Sequence, residues 1–219
     1  MADAGTLHDA FINELRDTYD AENQLTKALP MLANAAQSAE LRSAFEEHLE
    51  ETRGHVERLE AIFESLDEKV QGKHCEGIAG ILAEGKAIMS EDLDEPTMDA
   101  SLIAAGQRAE HYEMAAYGTL VAWARAMGHA EAADLLQETL KEEKAADERL
   151  SALAEGGINR EAADAAQASD DDDEEADEEE ADEEDAEEDM DETDDDDPSR
   201  APGKSTSGMR ASARKAGPR

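Results

Sequence analysis

The chain has 219 residues, with 58 Asp and Glu against 20 Lys and Arg, a formal net charge of −38 and a single cysteine. These values exclude an internal disulfide and make a nucleic-acid interface on the folded domain unfavourable, because acidic surface repels phosphate. No apolar run approaches the ~20 residues that span a bilayer, and Met1-Ala2-Asp3-Ala4 lacks the basic and apolar regions of a signal peptide. The expectation is a soluble, cytoplasmic protein with no membrane partner.

The charge is spread unevenly. Asp170 to Asp197 is an almost unbroken run of Asp and Glu, whereas Pro198 to Arg219 contains no acid and is rich in Arg, Lys, Ser and Gly. Neither stretch carries the apolar residues that would repay ordering. Residues 1–168 are therefore expected to form one folded domain, 169–197 an acidic disordered tail and 198–219 a basic disordered terminus.

Four long helical patterns occupy the domain. The first runs from about Thr6 to Ala36, with Phe11, Leu15, Leu25, Leu29 and Leu32 at three- and four-residue steps and Pro30 as a bend or break. The second starts after Ser38, a good N-cap, and carries Leu41, Phe45, Leu49, Val56, Leu59 and Phe63. A short helix around Ile78 to Met89 follows. The third long helix opens at Pro96 and runs through Ile103, Tyr117, Leu120 and Trp123 to a stop at Gly128. The fourth runs from there through Leu136, Leu140, Leu150 and Leu153 to Gly156-Gly157.

Two helical hairpins with short turns are thus joined by a long connection from about Ser65 to Glu95. That connectivity predicts an all-α, ferritin-like antiparallel four-helix bundle with one long crossover containing a short helix. Shifting the chain by 91 residues, the distance from Glu22 to Glu113, lays the second hairpin on the first without a gap. Leu29 then falls on Leu120, Glu47 on Glu138, Leu49 on Leu140, Glu51 on Glu142, and Glu57-Arg58-Leu59 on Glu148-Arg149-Leu150. About a dozen identities between Glu22 and Phe63, against roughly five expected by chance, point to duplication of a hairpin.

The apolar faces are interrupted by ionisable residues. Glu22 stands inside the stripe of the first helix, and Glu110 and Glu113 stand between Gly106 and Tyr117 on the third. A buried carboxylate needs a cation or a proton. On the second helix His48, Glu51 and His55 share a side at i, i+3 and i+7, and the fourth offers Glu142, Glu143 and Asp147. Most carboxylates in helices this rich in Glu are solvated, so the set carries more weight than its members. Glu22 and Glu113 are the firmest, since each breaks an apolar stripe and each is the other's repeat.

Glu from two helices with Glu and His from the other two is how bundles hold a pair of divalent ions. Oxygen and imidazole donors without thiolate suit iron or manganese, so the expected cofactor is two iron or manganese ions. The literal Glu-x-x-His spacing is absent; the positions aligned with His48 and His55 are Thr139 and Ala146, which predicts an asymmetric, carboxylate-dominated site. The metal-ligand candidates are Glu22, His48, Glu51, His55, Glu110, Glu113, Glu142, Glu143 and Asp147. Tyr19, Tyr112 and Tyr117 fall near them in the helical frame.

The blocks Tyr19-Asp20-Ala21-Glu22-Asn23-Gln24-Leu25, His48-Leu49-Glu50-Glu51-Thr52, Gln107-Arg108-Ala109-Glu110-His111-Tyr112-Glu113 and Glu138 to Asp147 resemble the signature segments of the YciF-like ferritin-like family of bacterial stress proteins. The resemblance covers residues 6 to 158 and includes Cys75 and Tyr117-Gly118-Thr119-Leu120. It implies a bundle with a crossover helix, a dimer, a di-metal site of rubrerythrin type and expression under stress, but no agreed reaction. A homodimer is also expected from apolar residues assigned to second helix faces, namely Leu7, Ile12, Ile62, Ile81 and Ile88. The functional expectation is a peroxidase- or catalase-like di-metal protein acting on peroxide or dioxygen. The alternative is a metal-sequestering or structural protein of the stress response.

Overall fold

A computed structural model of the chain describes residues 5–167. The acidic disordered tail expected at 169–197 and the basic disordered terminus expected at 198–219 lie outside the described residues.

Among the described residues five α-helices build the bundle and its crossover: α1 (Leu7–Ala35), α2 (Ala39–Ser65), α3 (Glu76–Ile88), α4 (Glu95–Met127) and α5 (Ala130–Leu153). Four of the five starts are set by a side-chain cap, α5 being the exception. Thr6 accepts from the Asp9 amide while Asp9 accepts from the Thr6 amide, a reciprocal box at the head of α1. Ser38 and Asp94 cap α2 and α4, and the Cys75 thiol takes the same place at α3. Gly128, at φ 81°, closes α4 in the left-handed conformation that glycine adopts without cost, and α5 begins two residues later.

The helices alternate in direction around the bundle. Leu29 and Leu32 of α1, Leu41 and Phe45 of α2, Leu102 and Ile103 of α4 and Leu150 of α5 share one apolar core at one end. Phe11 and Leu15, Leu59 and Phe63, Leu120 and Ala124, and Leu136 share a second core at the other. α2 ends at the second core and α4 begins at the first, so the crossover runs the length of the bundle and lays α3 against α1 and α4. Between the two cores lies one polar layer: Thr18 and Glu22 from α1, His48, Thr52 and His55 from α2, Glu110 and Glu113 from α4, Thr139 and Glu143 from α5, all buried. Each apolar core walls this layer off from one end.

Asp99 of α4 ties the first hairpin down. It is buried and its two oxygens accept from the Gln37 and Ser38 amides at 2.8 and 2.7 Å, which satisfies the turn between α1 and α2.

Pro30 lies inside α1, which continues as one helix to Ala35, so the proline does not end it. The fourth bundle helix breaks at Gly156-Gly157, where Gly157 takes φ 163° and ψ −36°, and beyond this kink 159–167 are again helical. Of the apolar residues assigned to outer faces, Ile12 and Ile62 are buried in the second core, because the inward stripes are wider than a single i, i+4 line. Leu7 remains exposed, and Ile81 and Ile88 are half-buried.

Candidate metal centre

Four carboxylates and two imidazoles meet in the polar layer. His48, Glu110, Glu113 and Glu143 each offer a ligand atom, all within 4.8 Å of one another, and Glu22, His55 and Glu143 do the same beside them. Glu143 belongs to both groups. Its Oε2 lies 3.7 Å from His48 Nε2 and its Oε1 lies 2.9 Å from His55 Nδ1, so one carboxylate spans the two positions. His48 Nε2 is also 3.3 Å from Glu110 Oε1, and His55 Nδ1 is 3.4 Å from Glu22 Oε1.

These side chains are short of partners. Glu22 Oε2, Glu110 Oε2, Glu113 Oε1, both Glu143 oxygens and His55 Nδ1 are buried with no protein hydrogen bond, although His55 Nδ1 stands close to two carboxylates. An unpaired buried polar atom costs about 1–3 kcal/mol, so six at one spot call for a shared occupant. Two divalent cations match the charge of four carboxylates with both histidines neutral, and the oxygen and nitrogen donors suit iron or manganese. The residues fit the ion pair that the sequence suggests.

The electrostatics show what their crowding costs without cations. Burial, then the charges of Glu143, Glu22 and Glu110, pushes the Glu113 carboxyl well above the ordinary range. Burial also raises Glu110, partly offset by His48 and reinforced by Glu143, and raises Glu143 against the pull of His55. Burial lowers the pKa of both histidines, but the adjoining carboxylates outweigh it: Glu110 and Glu51 raise His48, and Glu143 and Glu22 push His55 up to about 11. Tyr117 is fully buried and donates to Glu22 Oε1; burial and the neighbouring carboxylates hold its phenol proton on.

Three of the nine sequence-derived candidates stand outside these groups. Glu51 has a side chain 45% exposed and meets only the outer nitrogen of His48, Nδ1, at 3.4 Å. At about 100° per residue the inward line of α2 passes through His48, Thr52, His55 and Leu59, and Glu51 falls to one side. Glu142 is 28% exposed and holds the outer nitrogen of His55, Nε2, at 3.0 Å, while Arg58 clamps Glu142 from α2, with Nη2 at 2.8 Å from Oε1. Asp147 faces Gln107 and His111 at 3.2 Å. Tyr19 donates to Glu60 and Tyr112 to Asp17, so Tyr117 alone of the three tyrosines touches the cluster.

The 91-residue repeat reappears in space. Glu51 and Glu142, its equivalents, each contact the outer nitrogen of one histidine, the placement of a carboxylate that orients an imidazole ligand. Arg58 is a site residue that no local pattern marks; its only sequence signal is its match to Arg149 under the repeat.

The DUF892 profile, described as a domain of unknown function, matches residues 6–163. The chain belongs to this family. Within DUF892 it is similar to protein YciF of Escherichia coli K12, 44% identical over 158 residues that span 72% of this chain and 95% of that protein. The crystal structure of the E. coli stress protein YciF superposes with a TM-score of 0.69 over 71% of this chain and 99% of that one. YcfI, a candidate structural protein of Rhodopseudomonas palustris, is 41% identical with a TM-score of 0.67 over 68% and 96%. A Xanthomonas campestris protein, 21% identical with a TM-score of 0.55, supports the fold alone. Among the described residues of this DUF892 chain, no helix is long and apolar enough to cross a membrane.

Proposed function

We propose that this DUF892 domain is a di-metal carboxylate protein that consumes peroxide or dioxygen in a stress response. The observation that carries the reading is Glu143, fully buried with one oxygen toward each of two histidines. His48, Glu110, Glu113 and Glu143 would hold one ion, and Glu22, His55 and Glu143 the other. When bound, two redox-active divalent ions would supply Lewis-acid and electron-transfer chemistry toward an O–O bond.

The chain's own residues prepare that site. Glu142, fixed by Arg58, and Glu51 set the imidazole planes by accepting from the nitrogens that face away from the ions. Tyr117 keeps its proton and fixes the rotamer of Glu22. The apolar cores on either side exclude bulk water, which strengthens every charge interaction between them. With Cys75 the single cysteine, the chain has no cysteine pair to relay electrons, so disproportionation of peroxide, which needs no external reductant, suits it best.

A second reading, metal storage or a purely structural role, draws on the repeat: Thr139 and Ala146 replace the histidines of the first half. The test is peroxide consumption with oxygen evolution by the iron- or manganese-loaded protein, against Glu113→Gln. Turnover by the parent and its loss in the variant support the enzyme. Tight metal binding without peroxide or dioxygen consumption assigns storage instead. The family resemblance also supports a two-fold homodimer, which light scattering at low and high salt tests.

A further inference from the structure

The two seams between α2 and α5 are equivalents under the repeat, yet one is shut and the other is open. On the shut side Arg58 of α2 reaches Thr139 at 3.2 Å, Glu142 at 2.8 Å and Glu138 at 3.4 Å, and His55 fills the space beneath against Glu142. On the other side Arg149 of α5 holds Glu47 of α2 at 2.6 Å, the counterpart of the Arg58–Glu138 pair. The rest of the clamp is missing there. Glu51, the counterpart of Glu142, makes no bond to Arg149, and the counterpart of His55 is Ala146, a methyl where an imidazole would stand.

A cavity of about 210 Å³ occupies that gap. Ala44, Ala145 and Ala146 form its small-residue walls, Glu51 and Arg149 stand at its exposed rim, and His48 and Glu110 lie at its floor. Glu110 is 3% exposed, and its Oε2 has no hydrogen-bond partner. The cavity therefore connects a solvent-facing carboxylate to a buried, unpaired one that belongs to the cluster.

We infer that this cleft is the route by which divalent cations reach the centre, with Glu51 as the receiving carboxylate, Glu110 as the next, and Ala146 as the opening. The inference rests on the di-metal reading. Glu51 then has two tasks that its position explains: it orients His48 and it exchanges the ion's water for protein oxygen at the rim. Loss of the second-half histidine, which makes the ligand set asymmetric, is what leaves the passage. The strongly acidic chain draws cations toward the rim, and that attraction is screened by salt.

Stopped-flow loading of the full-length protein with Co²⁺, followed by its visible absorption and by metal content at equilibrium, tests the route. Ala146→Leu should slow loading by at least about tenfold while the final Co²⁺ per chain stays that of the parent. Glu51→Gln, which leaves the cavity volume intact, should slow loading several-fold and weaken its salt dependence. Ala79→Leu, in the apolar cavity between α1, α3 and α4, which also reaches Glu110 but has Lys27 and Lys86 among its lining and no exposed carboxylate, should leave the rate unchanged. Parent-like rates in both Ala146→Leu and Glu51→Gln overturn the route, as does slowing by Ala79→Leu alone. A parent protein that binds no Co²⁺ refutes the metal reading itself, a different result from unchanged kinetics at full occupancy.

Discussion

Replacing Glu113 with leucine should have opposite effects on the metal-free and metal-loaded protein. Glu113 is 1% exposed, its Oε1 is unpaired, and burial plus three neighbouring carboxylates raise its pKa, with no cationic contact to compensate. Removing one unsatisfied buried polar group is worth about 1–3 kcal/mol, and leucine fills a similar volume. For a domain of this size 1 kcal/mol moves the midpoint by about 2–4 °C, so Glu113→Leu should melt roughly 2–12 °C above the parent in EDTA. With Mn²⁺ at 100 times Kd each occupied site adds about 2.7 kcal/mol, and the variant should forfeit that gain at the His48 position. Differential scanning fluorimetry with and without metal gives both numbers. A variant that melts below the parent in EDTA, or that keeps the parent's full gain with metal, would refute the reasoning.

Arg58→Ala should leave metal content per chain unchanged but weaken binding at the His55 position about 10–100-fold, since Glu142 would no longer be held against His55; calorimetric titration measures it. Asp99→Ala removes the acceptor of two backbone amides and should cost about 2–4 kcal/mol in urea unfolding while sparing metal binding. The metal-free protein should lose stability as pH rises from about 5 to about 9. Glu110, Glu113 and Glu143 have raised pKa values, so above the ordinary 4.5 the folded state holds more protons than the unfolded; the contribution of His55, full below 6.5, fades as pH rises through about 11. Thermal midpoints in EDTA that climb over this range would contradict it, as would metal loading at pH 7 without proton release.

Glu22 and Glu113 could be read from the sequence because each interrupts an apolar stripe and each is the other's repeat. The bundle and its crossover followed from cap residues and short turns, which are local signals. Glu51 was harder: i, i+3 and i+7 residues span a broad arc of helix, and only the packing partner decides which part of the arc faces inward. Thr52 takes the inward place instead. Asp99 and Arg58 act on elements far away in sequence, the turn at Gln37-Ser38 and the α5 carboxylates, and no local pattern announces such contacts. The open seam is visible only when the repeat is laid on the structure, where Ala146 occupies the place of an imidazole.

Metal content bears most directly on the central claim. The full-length protein, stripped with chelator, reloaded anaerobically with Fe²⁺ or Mn²⁺ and desalted, should carry two ions per chain by elemental analysis, none in Glu143→Ala, and two again when the chain is cut after Ala168. No retained ion in the parent protein, or two ions retained by Glu143→Ala, would contradict a di-metal centre built on that carboxylate.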